Sequence, residues 1–245
     1  QIFSYLIMQS ICGIIAYLIT SKYFKRSIPE SIIWALTVAL SNHVTLLLPI
    51  TEIYFQQNVI TQVASIILMD GIILLSVIAF FLELSTKKNV NLFNFIKNLF
   101  LNPFILSIII GLLFLLLNFN IDQTPIEYTL SKLAACVSPV GLFAIGIILS
   151  FYTKNVINKL SVSISVLKLV ISPIILLLIG LVIFNAGLPA EIPGAFFVSV
   201  APCGVTSIVL CAAYNVSPEN IIKAIFVSTI ASIGTIFFAI KYLTL

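Results

Sequence analysis

The chain has 245 residues, of which 61% are hydrophobic and 8% charged, with a formal net charge of +4. Its mean hydropathy of +1.23 and its recurring apolar stretches of about 20 residues exclude a soluble domain, whose charged share is about 25%. The small positive balance does not point to nucleic acid, because the basic residues fall in the loops of one side, as shown below.

Eight spans are predicted, at 2–20, 32–57, 61–84, 101–119, 128–151, 160–184, 193–214 and 220–243. The first carries no charge. The second is interrupted by Asn42-His43-Val44-Thr45-Leu46-Leu47-Leu48-Pro49. As a straight helix it would measure about 39 Å, more than a hydrocarbon core of about 30 Å, so an unwound middle or a tilt is expected. The third carries Asp70. The connection from Ser85 to Phe100 is polar, with Lys87, Lys88 and Lys97, and is read as a loop. Pro139, Gly141 and Gly146 lie in the fifth span and Lys168 in the sixth. The seventh is interrupted by Ala201-Pro202-Cys203-Gly204-Val205-Thr206-Ser207. Helix breakers at membrane depth free backbone groups that lipid cannot satisfy, so such sites must line protein or a watery cavity. Paired interruptions in corresponding parts of two halves point to a transporter's substrate site. The four cysteines, Cys12, Cys136, Cys203 and Cys211, lie inside apolar spans with no C-x-x-C pair. They are read as buried, reduced side chains, with no metal and no cofactor.

Basic residues set the orientation. Lys22, Lys25 and Arg26 follow the first span, Lys87, Lys88 and Lys97 the third, and Lys154 and Lys159 the fifth, all on one side if the spans alternate. That side is expected to be cytoplasmic, which puts the C-terminus outward. Trp34, Tyr17, Tyr54, Tyr128 and Tyr242 sit near span ends, as interfacial aromatics do. A weak internal repeat recurs at an offset of about 160 residues: Ala35 aligns with Ala195, Val38 with Val198, Asn42 with Pro202, Tyr54 with Tyr214 and Ala64 with Ala224. The paired segments enter from opposite sides, the mark of an inverted repeat.

Four segments carry a family likeness. They are Ser41-Asn42 with the following Pro49; Leu101-Asn102-Pro103 with Ile110-Gly111-Leu112; Ser138-Pro139-Val140-Gly141-Leu142-Phe143-Ala144-Ile145-Gly146; and Ala201-Pro202-Cys203-Gly204 with Ala212-Ala213-Tyr214, Ser228-Thr229 and Ser232. In order and spacing the chain resembles the auxin efflux carrier family, which includes bacterial malate and malonate permeases. The resemblance implies an all-α polytopic membrane protein, with inverted five-helix repeats and crossing broken helices, the sodium/bile-acid symporter-like fold. Eight spans are visible of an expected ten, so two more are expected before Gln1. It implies residues 1–84 and 160–243 as a transport domain and 101–151 as scaffold helices, which often dimerise. Leu47 stands where members often have Gly, and the first span lacks the charges found in plant exporters. The absence of a long cytoplasmic loop favours a bacterial-type carrier in the inner membrane.

Depth arithmetic places Asn42, His43, Asp70, Lys168 and Pro202 about 12–15 Å into the core. A charge there costs about 2.5–3.5 kcal/mol, so these residues face the interior. Asn42 either caps a broken helix or also donates to a carboxylate. His43 either hydrogen-bonds a neighbouring helix or takes part in a proton-linked step. Lys168 either pairs with Asp70 or attracts an anion, and Asp70 is its counterion or a proton carrier. Pro49 and Pro139 are kinks or site residues, and Gly141 and Gly146 are packing residues. The expected substrate site is Asn42, His43, Thr45, Pro49, Lys168, Pro202, Cys203, Gly204 and Thr206, with Asp70 and His43 for charge coupling.

Half-helix N-termini at such a crossover carry free N–H groups and partial positive charge, which suit a carboxylate. The expected function is a secondary transporter of small organic anions by alternating access. A sodium-coupled, bile-acid-symporter-like carrier is the alternative. A membrane-embedded enzyme is disfavoured, since one His and scattered acids make no catalytic constellation, and no H-E-x-x-H or G-x-S-x-G occurs.

Overall fold

The computed structural model describes residues 1–86, 92–101, 103–152, 154–184 and 189–244. Lys87, Lys88 and Asn102, used above for orientation and family likeness, lie outside them. The described residues form helices throughout: α1 (Ile2–Tyr23), α2 (Ile28–Ala39), α3 (Leu48–Tyr54, entered through a π-helical turn His43–Leu47), α4 (Gln57–Thr86), α5 (Leu92–Phe100), α6 (Pro103–Leu116), α7 (Pro125–Ser150), α8 (Lys159–Ile183), α9 (Pro193–Ser199), α10 (Thr206–Ala213) and α11 (Glu219–Thr244). Among them, 5 helices are long and apolar enough to cross a membrane: α1, α4, α7, α8 and α11.

Local chemistry sets the helix ends. Ser27 accepts from the Glu30 amide and Pro29 occupies the first turn of α2. Thr124 caps α7 ahead of Pro125. Asn158 and Ser161 form a reciprocal capping box at the start of α8. Each such cap satisfies an amide that a helix start leaves without a partner. The segment Ser85 to Phe100, read as loop, contains α5. In the sequence Leu92, Phe95, Ile96 and Leu99 recur at helical spacing, with Asn94, Lys97 and Asn98 off that stripe, and this periodicity outweighs the polar residues.

The two interrupted spans are broken as expected. Leu40 is extended (φ −77°, ψ 130°) and Asn42 leaves helical geometry (ψ 61°). Ser and Asn side chains compete with helical bonding. In the other segment Pro202 removes a donor and disfavours helical geometry at Ala201. The breaks meet. Ser41 and Cys203 form an isolated antiparallel bridge. The Asn42 amide donates to the Pro202 carbonyl at 2.9 Å, and the Gly204 amide to the Leu40 carbonyl at 2.8 Å. Gly204 is also 3.2 Å from the Thr37 carbonyl. Each break thus supplies partners that the other lacks.

Around this joint pack α1, α2, α8, α9 and α11, with Trp34, Tyr5, Met8, Ile33 and Phe197 almost wholly buried. Small residues let α1 and α2 approach: Gly13 lies against Ala35 and Ala39. Membrane helices associate through such small-residue faces. The exterior is apolar. α7 has no buried residue, which corrects the reading of Cys136: its thiol is exposed, whereas Cys12, Cys203 and Cys211 are buried. A soluble protein would not expose so continuous an apolar surface, which fits helices long and apolar enough to cross a membrane.

The joint has no room for a side chain at Gly204. A Cβ there would sit 2.8 Å from the Leu40 carbonyl oxygen and 2.9 Å from Leu40 Cβ. Gly204→Ala is expected to destabilise the protein by about 1–3 kcal/mol, read as a lower Tm in detergent. Gly146→Ala, where a Cβ meets nothing within 4 Å, is the control. Equal Tm values for the two variants would contradict the close packing.

Candidate functional site

The joint gathers most of the predicted site. Asn42 is 3% exposed. Its Oδ1 accepts from Thr45 Oγ1, and its Nδ2, a buried donor, has no partner among the described residues. His43 begins the π-helical turn and is 6% exposed. Its Nε2 lies 3.0 Å from Asp70 Oδ2, and its buried Nδ1 has no partner among the described residues. Buried polar atoms without partners are rare and often belong to functional sites. Two of them sit on consecutive residues here.

Asp70 starts a second π-helical turn, Asp70–Leu74, in the middle of α4 and is wholly buried. Gln9 Nε2 donates to its Oδ1 at 2.6 Å, and the Tyr5 hydroxyl to its Oδ2 at 3.4 Å. Gln9 Nε2 is also 3.3 Å from the carbonyl of Ala39, the last residue of α2. The carboxylate is thus tied to the broken helix through Gln9 and to its continuation through His43. Gln9 also borders a cavity of about 690 Å³ between α1, α2 and α4, walled by Ile32, Ala39 and Ile78.

Lys168 does not pair with Asp70. It lies on a third π-helical turn, Leu167–Ile171 of α8, and is fully buried. Its Nζ donates to the Val38 carbonyl and to Ser41 Oγ, both at 2.8 Å. The expected counterion of Asp70 is replaced by His43, Gln9 and Tyr5. Its ammonium is drawn instead to the Val38 carbonyl, which the broken helix no longer uses, and to the Ser41 hydroxyl.

Pro202, Cys203 and Gly204 sit in the bridge. The Cys203 amide donates to Ser228 Oγ of α11 at 3.2 Å. Thr206 is the first residue of α10 and Pro49 lies in the first turn of α3. Both flank the joint, half-buried, and no bond ties either to Asn42. Thr45 has a role the sequence did not suggest. Its carbonyl accepts from Ser138 Oγ of α7 at 2.5 Å, and a Cβ on Gly141 would come within 2.9 Å of its Cγ2. Gly141 is therefore where α7 approaches the joint, whereas Gly146 meets nothing. Sequence reasoning missed Tyr5 and Gln9. Their signal was available: two polar-tipped residues four apart share a face in an otherwise apolar span.

A family model described as a membrane transport protein matches residues 2–240. The chain belongs to the auxin efflux carrier-type membrane transport family. Family membership and the apolar helices make it a multi-pass membrane protein and a transporter in general; the family is one of transporters, not of enzymes. Comparison with curated proteins gives no match. In this family member the joint of two broken helices, with buried polar atoms left over, is the candidate site.

If His43 and Asp70 act as a unit, their substitutions are not additive. A double-mutant cycle with His43→Ala and Asp70→Asn is expected to show a coupling of about 1.5–3 kcal/mol, the range for hydrogen bonds to charged groups. It is read from chemical or thermal unfolding in detergent. Additivity within about 0.5 kcal/mol would mean the contact carries no energy.

Proposed function

We propose that this transporter carries small organic anions, of the malate, malonate or auxin-like class, by alternating access at the α2–α3/α9–α10 joint. The observation that carries the reading is the unpartnered Asn42 Nδ2. Thr45 occupies the acceptor side of that amide and leaves the donor side for an acceptor from outside the chain. A carboxylate oxygen is such an acceptor. The N-terminal ends of the helix entered at His43 and of α10 start beside it. They add partial positive charge and free amides. Pro202, Cys203 and Gly204 form the backbone floor, with Thr206 and Pro49 at its edges. Lys168 contributes positive charge from beneath, since its ammonium is engaged by Val38 and Ser41.

On this reading residues 1–84 and 160–243 form the moving transport domain, as two inverted repeats. Residues 101–151 form the scaffold, through which two copies can associate. Support comes from α7, which has no buried residue yet touches Thr45 through Ser138 and Gly141. That contact lies at the edge of the site, where two domains would slide. His43 and Asp70 couple transport to protons, since His43 Nε2 faces the Asp70 carboxylate at 3.0 Å. The charge pattern of the loops supports an outward C-terminus, and the likeness to bacterial permeases supports a bacterial inner membrane.

Uptake of radiolabelled malate, malonate and indole-type acids into proteoliposomes, under imposed pH and sodium gradients, tests the proposal. Asn42→Ala is expected to lower apparent affinity tenfold or more, since a hydrogen bond to a charged group contributes about 1.5–3 kcal/mol, with Tm retained. Wild-type uptake by that variant would remove Asn42 from the site. His43→Gln is expected to flatten the dependence of uptake on the pH gradient. An unchanged gradient response would rule His43 out of coupling, and a requirement for sodium would favour a symporter of the bile-acid type.

A further inference from the structure

A backbone account of the joint leads to Lys168. In a continuous helix the Asn42 amide would reach the Val38 carbonyl four residues back. It donates instead to Pro202, so the Val38 carbonyl loses its helical partner, and Lys168 Nζ takes the place at 2.8 Å. The second break mirrors the first. The helical partner of the Val198 carbonyl would be the amide of residue 202, which is proline and has none. Ser41 Oγ donates to that carbonyl at 2.9 Å. Ser41 Oγ in turn accepts from Lys168 Nζ at 2.8 Å. One ammonium therefore serves the C-terminal ends of both interrupted helices, α2 directly and α9 through a single hydroxyl.

These ends are the negative poles of their helices, and they converge on a site closed to water: Lys168, Ser41, Val38 and Val198 are all buried. The oxygen set, a carbonyl and a hydroxyl at a helix break, is the chemistry that carriers with discontinuous helices use to bind a coupling cation. Here a side chain fills it. The π-helical turn Leu167–Ile171 carries Lys168, and such turns are frequent at functional sites.

The geometry points to Lys168 as a tethered cation, the ammonium standing where a dissociable monovalent cation would otherwise neutralise the two helix ends. The inference rests on reading the joint as the working centre of a carrier. It makes Lys168 a positioning residue, which fixes the relative placement of α2 and α9 and hence of Asn42, rather than a direct contact of the substrate. It also removes the need for sodium at the joint.

The test uses the purified full chain and does not depend on the substrate. Tm is measured in sodium, potassium and choline chloride at equal ionic strength, and with added propylammonium, which has the atoms that Lys168→Ala deletes. Wild type is expected to show one Tm in all four. Lys168→Ala is expected to lose Tm in choline and to regain part of it with propylammonium and with sodium, whereas Lys168→Met, which fills the space without charge, regains none. Binding of radioactive sodium to wild type is expected to be absent, and to appear in Lys168→Ala. The proposal is overturned if sodium stabilises or binds wild type, a measurement that stands even where a variant fails to fold. It is also overturned if neither cation raises the Tm of Lys168→Ala. Because these readouts are binding and stability, their failure leaves organic-anion uptake untouched, and loss of that uptake reading leaves them standing.

Discussion

Everything in this structure depends on an exchange of backbone hydrogen bonds between two broken helices. Lipid offers no substitute for a missing partner, and an unsatisfied peptide group there costs several kcal/mol. The bonds from Asn42 to Pro202 and from Gly204 to Leu40 remove that cost at the point where each helix would otherwise be least tolerable. They also force α2 and α9 to be placed relative to one another before either is stable. The packing of Trp34, Phe197 and Tyr5 follows from that placement. A glycine at 204 is required for the same reason, since any side chain would meet the Leu40 backbone.

The polar groups around the joint divide into two sets. Tyr5, Gln9, His43 and Asp70 form a connected network in which the carboxylate is the common acceptor. Lys168 and Ser41 form another, in which backbone carbonyls are the acceptors. Buried charge is tolerated only when its bonding is complete. Among the described residues, His43 Nδ1 in the first set and Asn42 Nδ2 beside it are the atoms of the joint left without a partner. In a joint so fully bonded elsewhere, those two atoms are where an outside molecule finds something to bind.

Much of this was legible in the sequence. The breaks at Asn42 and Pro202 stand out because breakers within apolar spans are conspicuous, and family membership follows from the order of short segments along the chain. The partners of Lys168 and Asp70 were not legible. Opposite charges at similar depth suggested a pair, but depth says nothing about direction around a helix axis, and the Val38 carbonyl that Lys168 bonds is freed only once the helix is broken. Gln9 and Tyr5 escaped notice because neither is charged, although each completes the environment of a residue that is. The helix Leu92–Phe100 was hidden by its polar residues, and Cys136 was misplaced because apolar surroundings in sequence were equated with burial. In a membrane protein the apolar face is also the outer one.

His43, Asp70 and Lys168 each lie within a widened turn, at His43–Leu47, Asp70–Leu74 and Leu167–Ile171. Such a turn holds one residue more than its neighbours, and each residue advances a helix by about 100°. It therefore acts as an indexing device: side chains beyond it point in a direction that an unmodified helix of the same sequence would not allow. Closing one of these turns to the ordinary period without removing a residue would rotate every downstream side chain by about 100°, whereas deleting one residue along with the widening would keep them in place. The register of these helices is set by count as much as by composition.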